Sequence, residues 1–172
     1  VRRYLREFLS DPRILDIPAI PRWILLNLVI LPTRPKQSAH AYQQIWTDRG
    51  SPLLFHSQDM ADGLQKVLGE NYRVELGMRY GNPSIGRAIG ALRDAGVERI
   101  VLFPVFPQNA ASSTGTAIAE VYRQLAQEWK PMPVSLVPSF YDDTGFLGAF
   151  VEVARETFAT SGQPEHVLFS FH

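Results

Sequence analysis

A chain of 172 residues is long enough to bury the core of one domain. Its 17 basic and 17 acidic side chains cancel, with no block of either sign, which argues against a nucleic-acid surface and against a charged tail. The absence of cysteine removes disulfides, thiolate catalysis and cysteine-bound metal clusters from this segment and fits a reducing, cytoplasmic compartment.

The 13 prolines are scattered singly, so they punctuate a fold and do not form a linker. The opening Val1-Arg2-Arg3-Tyr4-Leu5 lacks the apolar core and cleavage site of a signal peptide. It starts on a helical pattern without methionine, and the last residues read as the inside of a strand. The expectation is a fragment of a longer protein.

Residues 1 to about 10 place Val1, Tyr4, Leu5, Phe8 and Leu9 at helical spacing, and Ser10-Asp11-Pro12 ends that helix. A proline-punctuated connector runs from 14 to 21. The run 23–31 is apolar nearly all round but far shorter than the ~20 residues needed to span a bilayer. It reads either as a buried helix or as a surface flap whose apolar face meets a ligand or lipid. Pro32 to Pro35 breaks the pattern; helices follow at 36–46 and 53–68, the second with Leu53, Leu54, Met60, Leu64, Val67 and Leu68 as its core face. From there the rhythm is regular. Strand candidates at 72–80, 99–104, 134–138 and 166–171 alternate with helices at about 84–95, 115–129 and 144–159, the spacing of βαβ units. The expected class is α/β, a parallel sheet with helices on both faces. Gly81, Gly86 and Gly90 lack the spacing of a phosphate-binding loop, so a nucleotide reading is weak.

Ligands of open α/β sheets sit outside the carboxyl ends of the strands. Four such ends carry polar residues here. Arg79-Tyr80 can bind a carboxylate and stack on a flat ring; the plainer alternative is a strand-to-helix turn with Arg79 in solvent. The segment from Phe103 to Gly115 is long for a βα connection, rich in hydroxyls at Ser112-Ser113-Thr114, and leads into a helix start that favours anions, or is simply capped by its Ser and Thr. Pro138-Ser139-Phe140-Tyr141-Asp142-Asp143 follows the third strand, its aromatics pocket wall or core. The fourth strand ends at His172, which in isolation would read as a mere tail residue.

Taken together, these segments resemble the amino-terminal half of a ferrochelatase. The resemblance is carried by the run from Val1 to Arg13, by Gly50-Ser51-Pro52-Leu53, Met78-Arg79-Tyr80-Gly81-Asn82-Pro83, Pro107 to Gly115, Pro138-Ser139-Phe140-Tyr141-Asp142, and Leu168-Phe169-Ser170-Phe171-His172, all in family order. Arg34-Pro35-Lys36-Gln37-Ser38-Ala39 and the stretch 42–52 resemble bacterial members. The resemblance implies a chelatase that inserts Fe²⁺ into protoporphyrin IX at the end of haem synthesis, a lyase-class enzyme. It implies that His172 is the active-site histidine, that Arg79 and Tyr80 are pocket residues, and that Ser51 and Ser112-Ser113-Thr114 line the porphyrin cleft. The apolar stretch from Ile20 to Leu31 matches the lip over that cleft, which in membrane-associated members touches the bilayer, so a peripheral inner-membrane contact is the matching expectation. Ferrous iron enters as substrate; the segment shows no cofactor of its own, and an iron–sulfur cluster in the second half is left open. Relative to the family, the opening strand with its glycine-containing loop precedes Val1, and the second domain with its acidic metal-site residue is absent. The Phe106-Pro107-Gln108-Asn109-Ala110 run stands where Tyr-Pro-Gln-Tyr-Ser is usual. An isolated fragment of this kind is expected to be inactive.

The implied chemistry suits these residue types. Metallation replaces two pyrrole N–H protons by a divalent metal, and imidazole is the side chain whose unperturbed pKa lies near neutrality. A neutral imidazole can equally ligate Fe²⁺, but one lone pair cannot do both at once. Two other functions share the pattern: a cobalt chelatase acting on a tetrapyrrole precursor, and a non-catalytic porphyrin- or haem-binding paralogue, which would lack the acidic residue of the second half.

Overall fold

The computed structural model describes residues 1–169; Ser170, Phe171 and His172, the end of the fourth strand candidate and the expected active-site histidine, lie outside the described residues. Two strands, β1 (Ile100–Leu102) and β2 (Val134–Leu136), run parallel with Ile100 opposite Val134 and Leu102 opposite Leu136. Hydrogen bonds from Ile100 to the Pro133 carbonyl and from Val137 to the Leu102 carbonyl extend the ladder by a step at each end. Among the described residues, seven α-helices accompany the sheet: α1 (Arg2–Ser10), α2 (Ala19–Ile24), α3 (Leu31–Ile45), α4 (Pro52–Leu68), α5 (Ile85–Asp94), α6 (Thr116–Leu125) and α7 (Thr144–Ser161). The α/β class with a parallel sheet therefore holds.

The core follows from the spacing of apolar residues. Ile85 and Ile89 on α5, and Val121 and Leu125 on α6, recur at i, i+4 and so share a face; they bury against Ile100, with Leu92, Leu102, Met132 and Val134 packed around them. Gly86 permits the approach of the two helices, because a Cβ there would stand 3.2 Å from the Gln124 side chain. Ser84 caps α5 by accepting from the Arg87 N–H at 3.2 Å, and Asp143 caps α7 by accepting from the Phe146 N–H at 2.9 Å. A chain of ring contacts, Phe103–Phe140–Phe146–Phe150, ties α7 to the segments that leave the strands.

Four expectations need correction. The candidate 72–80 is not a sheet strand: Gln65 on α4 occupies its backbone, accepting from the Val74 N–H and donating to the Tyr72 carbonyl, both at 2.9 Å. Among the described residues only the single bridge between Met78 and Ser84 remains. Pro32 to Pro35 does not interrupt the chain's helix. Residues Leu25–Ile30 form a π-helical turn that feeds directly into α3, with the Leu31 N–H bonded to the Leu26 carbonyl five residues back. Pro32 has no N–H for the carbonyl four residues before it and its ring crowds that turn, which is how a helix widens without ending; one residue on, the Thr33 hydroxyl donates to the Val29 carbonyl at 2.6 Å. The intended core face of α4 buries nothing among the described residues, and Leu53 and Val67 are exposed. The described part of the fourth strand candidate, 166–169, carries no strand.

The run that sequence left as buried helix or surface flap is helical and only partly buried. Leu26 and Leu31 are buried, while Ile20, Trp23, Leu28 and Val29 stand more than half exposed. Because Leu125 is 3% exposed at the centre of the packed face, Leu125→Ala should lower the unfolding free energy by about 2–5 kcal/mol and Leu125→Met by less than about 1.5. Urea titration followed by circular dichroism measures both.

Candidate functional site

The site grows from the turn that follows Met78. Gly81 takes φ +83°, a left-handed backbone that glycine adopts without a Cβ clash, and the turn it makes directs Arg79 and Tyr80 back toward α1 and α6. There they meet Asp11. Pro12 forbids α1 from continuing through Asp11, whose backbone is extended (φ −70°, ψ 123°), so its carboxylate leaves the helix axis and enters the protein.

Asp11 is 8% exposed and fully engaged. Its Oδ2 accepts from Arg79 Nη2 at 2.5 Å and from the Tyr80 hydroxyl at 3.0 Å, and its Oδ1 accepts from the Arg13 N–H at 2.9 Å. Arg79 Nε donates to both the carbonyl and the hydroxyl of Thr116, each at 3.0 Å, in the first turn of α6. Thr116 is wholly buried, and its hydroxyl lies 3.3 Å from that of Tyr80. The Arg79 guanidinium also sits 4.3 Å over the Tyr80 ring, an additional cation–π attraction. One arginine thus joins α1 to α6.

An aromatic column supports this node. Tyr42 on α3 meets Tyr4 edge-on, Tyr4 stacks on Phe8 with centroids 5.7 Å apart, and Phe8 meets Tyr80 edge-on at 5.1 Å. Burial first, and then the neighbouring Tyr42, pushes the Tyr4 hydroxyl up to about 12. Burial likewise raises Tyr80, with the Asp11 hydrogen bond adding to it against the pull of Thr116. Burial alone would raise Asp11; the Arg13 N–H, the Tyr80 hydroxyl and the Arg79 guanidinium overcome it and hold the carboxyl below its ordinary value. Beside the node lies a shallow open depression of about 350 Å³. Glu7, Asp11 and Glu120 are balanced there by Arg13, Arg79 and Arg123.

The other residues singled out by sequence occupy different places. Ser112 is exposed, Ser113 is half-buried with its hydroxyl 3.5 Å from the Ala110 carbonyl, and both belong to a π-helical segment, Ala111–Gly115, that runs straight into α6. Thr114 in the same segment is buried, and its Oγ1 has no hydrogen-bond partner among the described residues. Ser51 stands at the N-cap of α4 with no side-chain cap, its carbonyl accepting from Leu54 and Phe55. No hydrogen bond among the described residues links it to the Arg79 node. Asp11 and Thr116 are the site residues sequence reasoning missed. The signal was half visible: the carboxylate expected for Arg79 is supplied by the chain itself, at a position that reads only as the stop of α1.

A depressed carboxyl pKa contributes stability that is complete above its unfolded value of about 3.9 and is lost as pH falls through the folded value. Asp11→Asn should therefore flatten the fall of unfolding free energy as pH drops below about 4, measured by urea titration at several pH values. An unchanged slope would mean that the carboxylate is not held by this network.

A family model described as Ferrochelatase matches residues 1–172. The chain is 46% identical over 176 residues to a ferrochelatase of Chromobacterium violaceum, 45% over 175 residues to one of Azoarcus sp. (strain BH72), and 41% over 172 residues to one of Coxiella burnetii (strain RSA 493). Each match covers 100% of this chain, and 48%, 48% and 47% of the respective relatives. The chain spans about half the length of the curated relatives it matches. With the family model matched over its whole length, the chain belongs to the ferrochelatase family.

Proposed function

We propose that the protein containing this chain inserts Fe²⁺ into protoporphyrin IX to form protohaem, as a lyase-class metal chelatase. The observation that carries this reading is the family match across residues 1–172. Because the chain spans about half of its relatives, we take it as one wall of a cleft, completed by a second domain that carries an acidic partner.

The reaction trades two pyrrole N–H protons for one divalent ion, so charge balances when both protons leave. His172 is the proposed acceptor of the first, or the ligand that delivers the ion; the acidic partner takes the complementary role. The ring is a large apolar disc with two carboxylate tails. Ser51, Arg79, Tyr80, Ser112, Ser113 and Thr114 are the proposed porphyrin-side residues, with the serine hydroxyls orienting the tails. A cleft that holds the ring bent exposes its nitrogen lone pairs and favours the distorted form through which metal enters.

The lip from Ile20 to Leu31 is the proposed peripheral membrane contact, on the cytoplasmic face of the inner membrane. Its support is the exposure of Ile20 (74%), Trp23 (61%) and Leu28 (64%) on adjoining helical turns. No helix among the described residues is long and apolar enough to cross a membrane, which leaves contact through one face. Trp23→Ser should weaken co-sedimentation of the full-length protein with anionic phospholipid vesicles by about tenfold; unchanged binding would remove the lip from the membrane.

Insertion of ferrous or zinc ion into protoporphyrin, followed by absorbance, tests the central reading. The full-length parent should turn over, and His172→Ala should lose at least about 100-fold. A parent that binds porphyrin without inserting metal would instead favour a non-catalytic binding paralogue, and one that metallates only a precursor tetrapyrrole with cobalt would favour the cobalt chelatase.

A further inference from the structure

The geometry points to Asp11 as a positioning residue for porphyrin binding, acting through Arg79 on the Ser112–Thr114 segment; this rests on the chelatase reading above. Arg79 is commonly the kind of residue one would assign to a substrate carboxylate. In this fold two of its three nitrogens, Nη2 and Nε, are already engaged. Nη2 is 2.5 Å from the Asp11 carboxylate and Nε is shared by the Thr116 carbonyl and hydroxyl at 3.0 Å. A second carboxylate brought to the same guanidinium would meet Asp11, a buried acid held ionised beside it, and like charges at that range repel.

What the pair does instead is hold two elements in register. Asp11 is anchored to α1 and to the Arg13 N–H; Thr116 opens α6 directly after the hydroxyl segment. That segment has unusual need of support. It is π-helical, and it keeps the Thr114 hydroxyl buried without a hydrogen-bond partner among the described residues. A wide helical turn with an unsatisfied buried oxygen persists where its surroundings over-determine it. The brace from Asp11 through Arg79 to Thr116 provides that constraint one residue beyond the segment's end, and the Phe8–Tyr80 ring contact stiffens the same joint from the α1 side.

The two roles for Arg79 predict opposite signs. If Arg79 gripped a porphyrin carboxylate directly, Asp11→Asn would remove the competing acid, and the KM for porphyrin would fall or stay level. If Arg79 is the middle of a brace, Asp11→Asn lets the hydroxyl segment relax and the KM rises. In the full-length protein, with protoporphyrin and zinc as the probes, Asp11→Asn should raise the porphyrin KM about tenfold while kcat stays within about twofold. Should Asp11→Asn fail to fold, Arg79→Lys serves: its single ammonium can keep Asp11 paired but lacks the planar fork that spans to Thr116. The same rise in porphyrin KM is expected, accompanied by loss of protection of the Thr116 and Ala117 amides in hydrogen exchange. A KM that falls or is unchanged in a folded Asp11→Asn protein that turns over would overturn the positioning role alone. A parent that neither binds nor metallates porphyrin would overturn the chelatase reading, and the positioning role with it.

Discussion

The buried ion pair between Asp11 and Arg79 is the constraint on which the rest of the arrangement depends. Burying a carboxylate is costly unless its lone pairs are met, and here three donors meet them. Isolated, such a pair adds little net stability compared with an apolar contact of the same size. Its value is direction. A guanidinium with one edge on Asp11 and another on Thr116 has few alternatives, so α1, the turn after Met78 and the start of α6 come together in one way. Removal of either charge leaves the other buried and uncompensated, which makes the join strict.

From that join two surfaces diverge. On one side the hydroxyl segment 111–115 leads into α6 and the packed core of α5, α6 and β1. On the other, the Phe8–Tyr4–Tyr42 column reaches α3 and, through it, the π-helical lip. The lip has the opposite physical character. Its missing proline donor widens the helix, sends Leu26 and Leu31 inward five residues apart, and leaves Trp23 and Leu28 in the open.

Much of this was legible in the sequence where local signals agree with packing. The helices expected at about 84–95 and 115–129 are α5 and α6, and the strand candidates 99–104 and 134–138 hold β1 and β2. Reading failed where the decisive partner is distant or is a side chain. Residues 72–80 alternate like a strand, but Gln65 takes their backbone hydrogen bonds. Pro32 and Pro35 look like breaks, yet a helix can absorb proline by widening. Asp11 looks like a helix stop, which it is. Its second role lies 68 residues away at Arg79 and carries no local trace. Sequence placed Arg79 at a strand end, where it would meet a ligand; that it meets this chain's own Asp11 carboxylate and Tyr80 ring needed the fold.

The central claim is that Asp11 and Arg79 act as one unit joining α1 to α6. A double-mutant cycle with Asp11→Asn, Arg79→Met and the combined variant, read by urea unfolding of the full-length protein, tests it most directly. The account predicts strong coupling, about 2 kcal/mol or more, because each single variant strands a buried partner that the double variant does not. Coupling within about 0.5 kcal/mol, the size found for exposed pairs, would contradict it and reduce the pair to a surface contact.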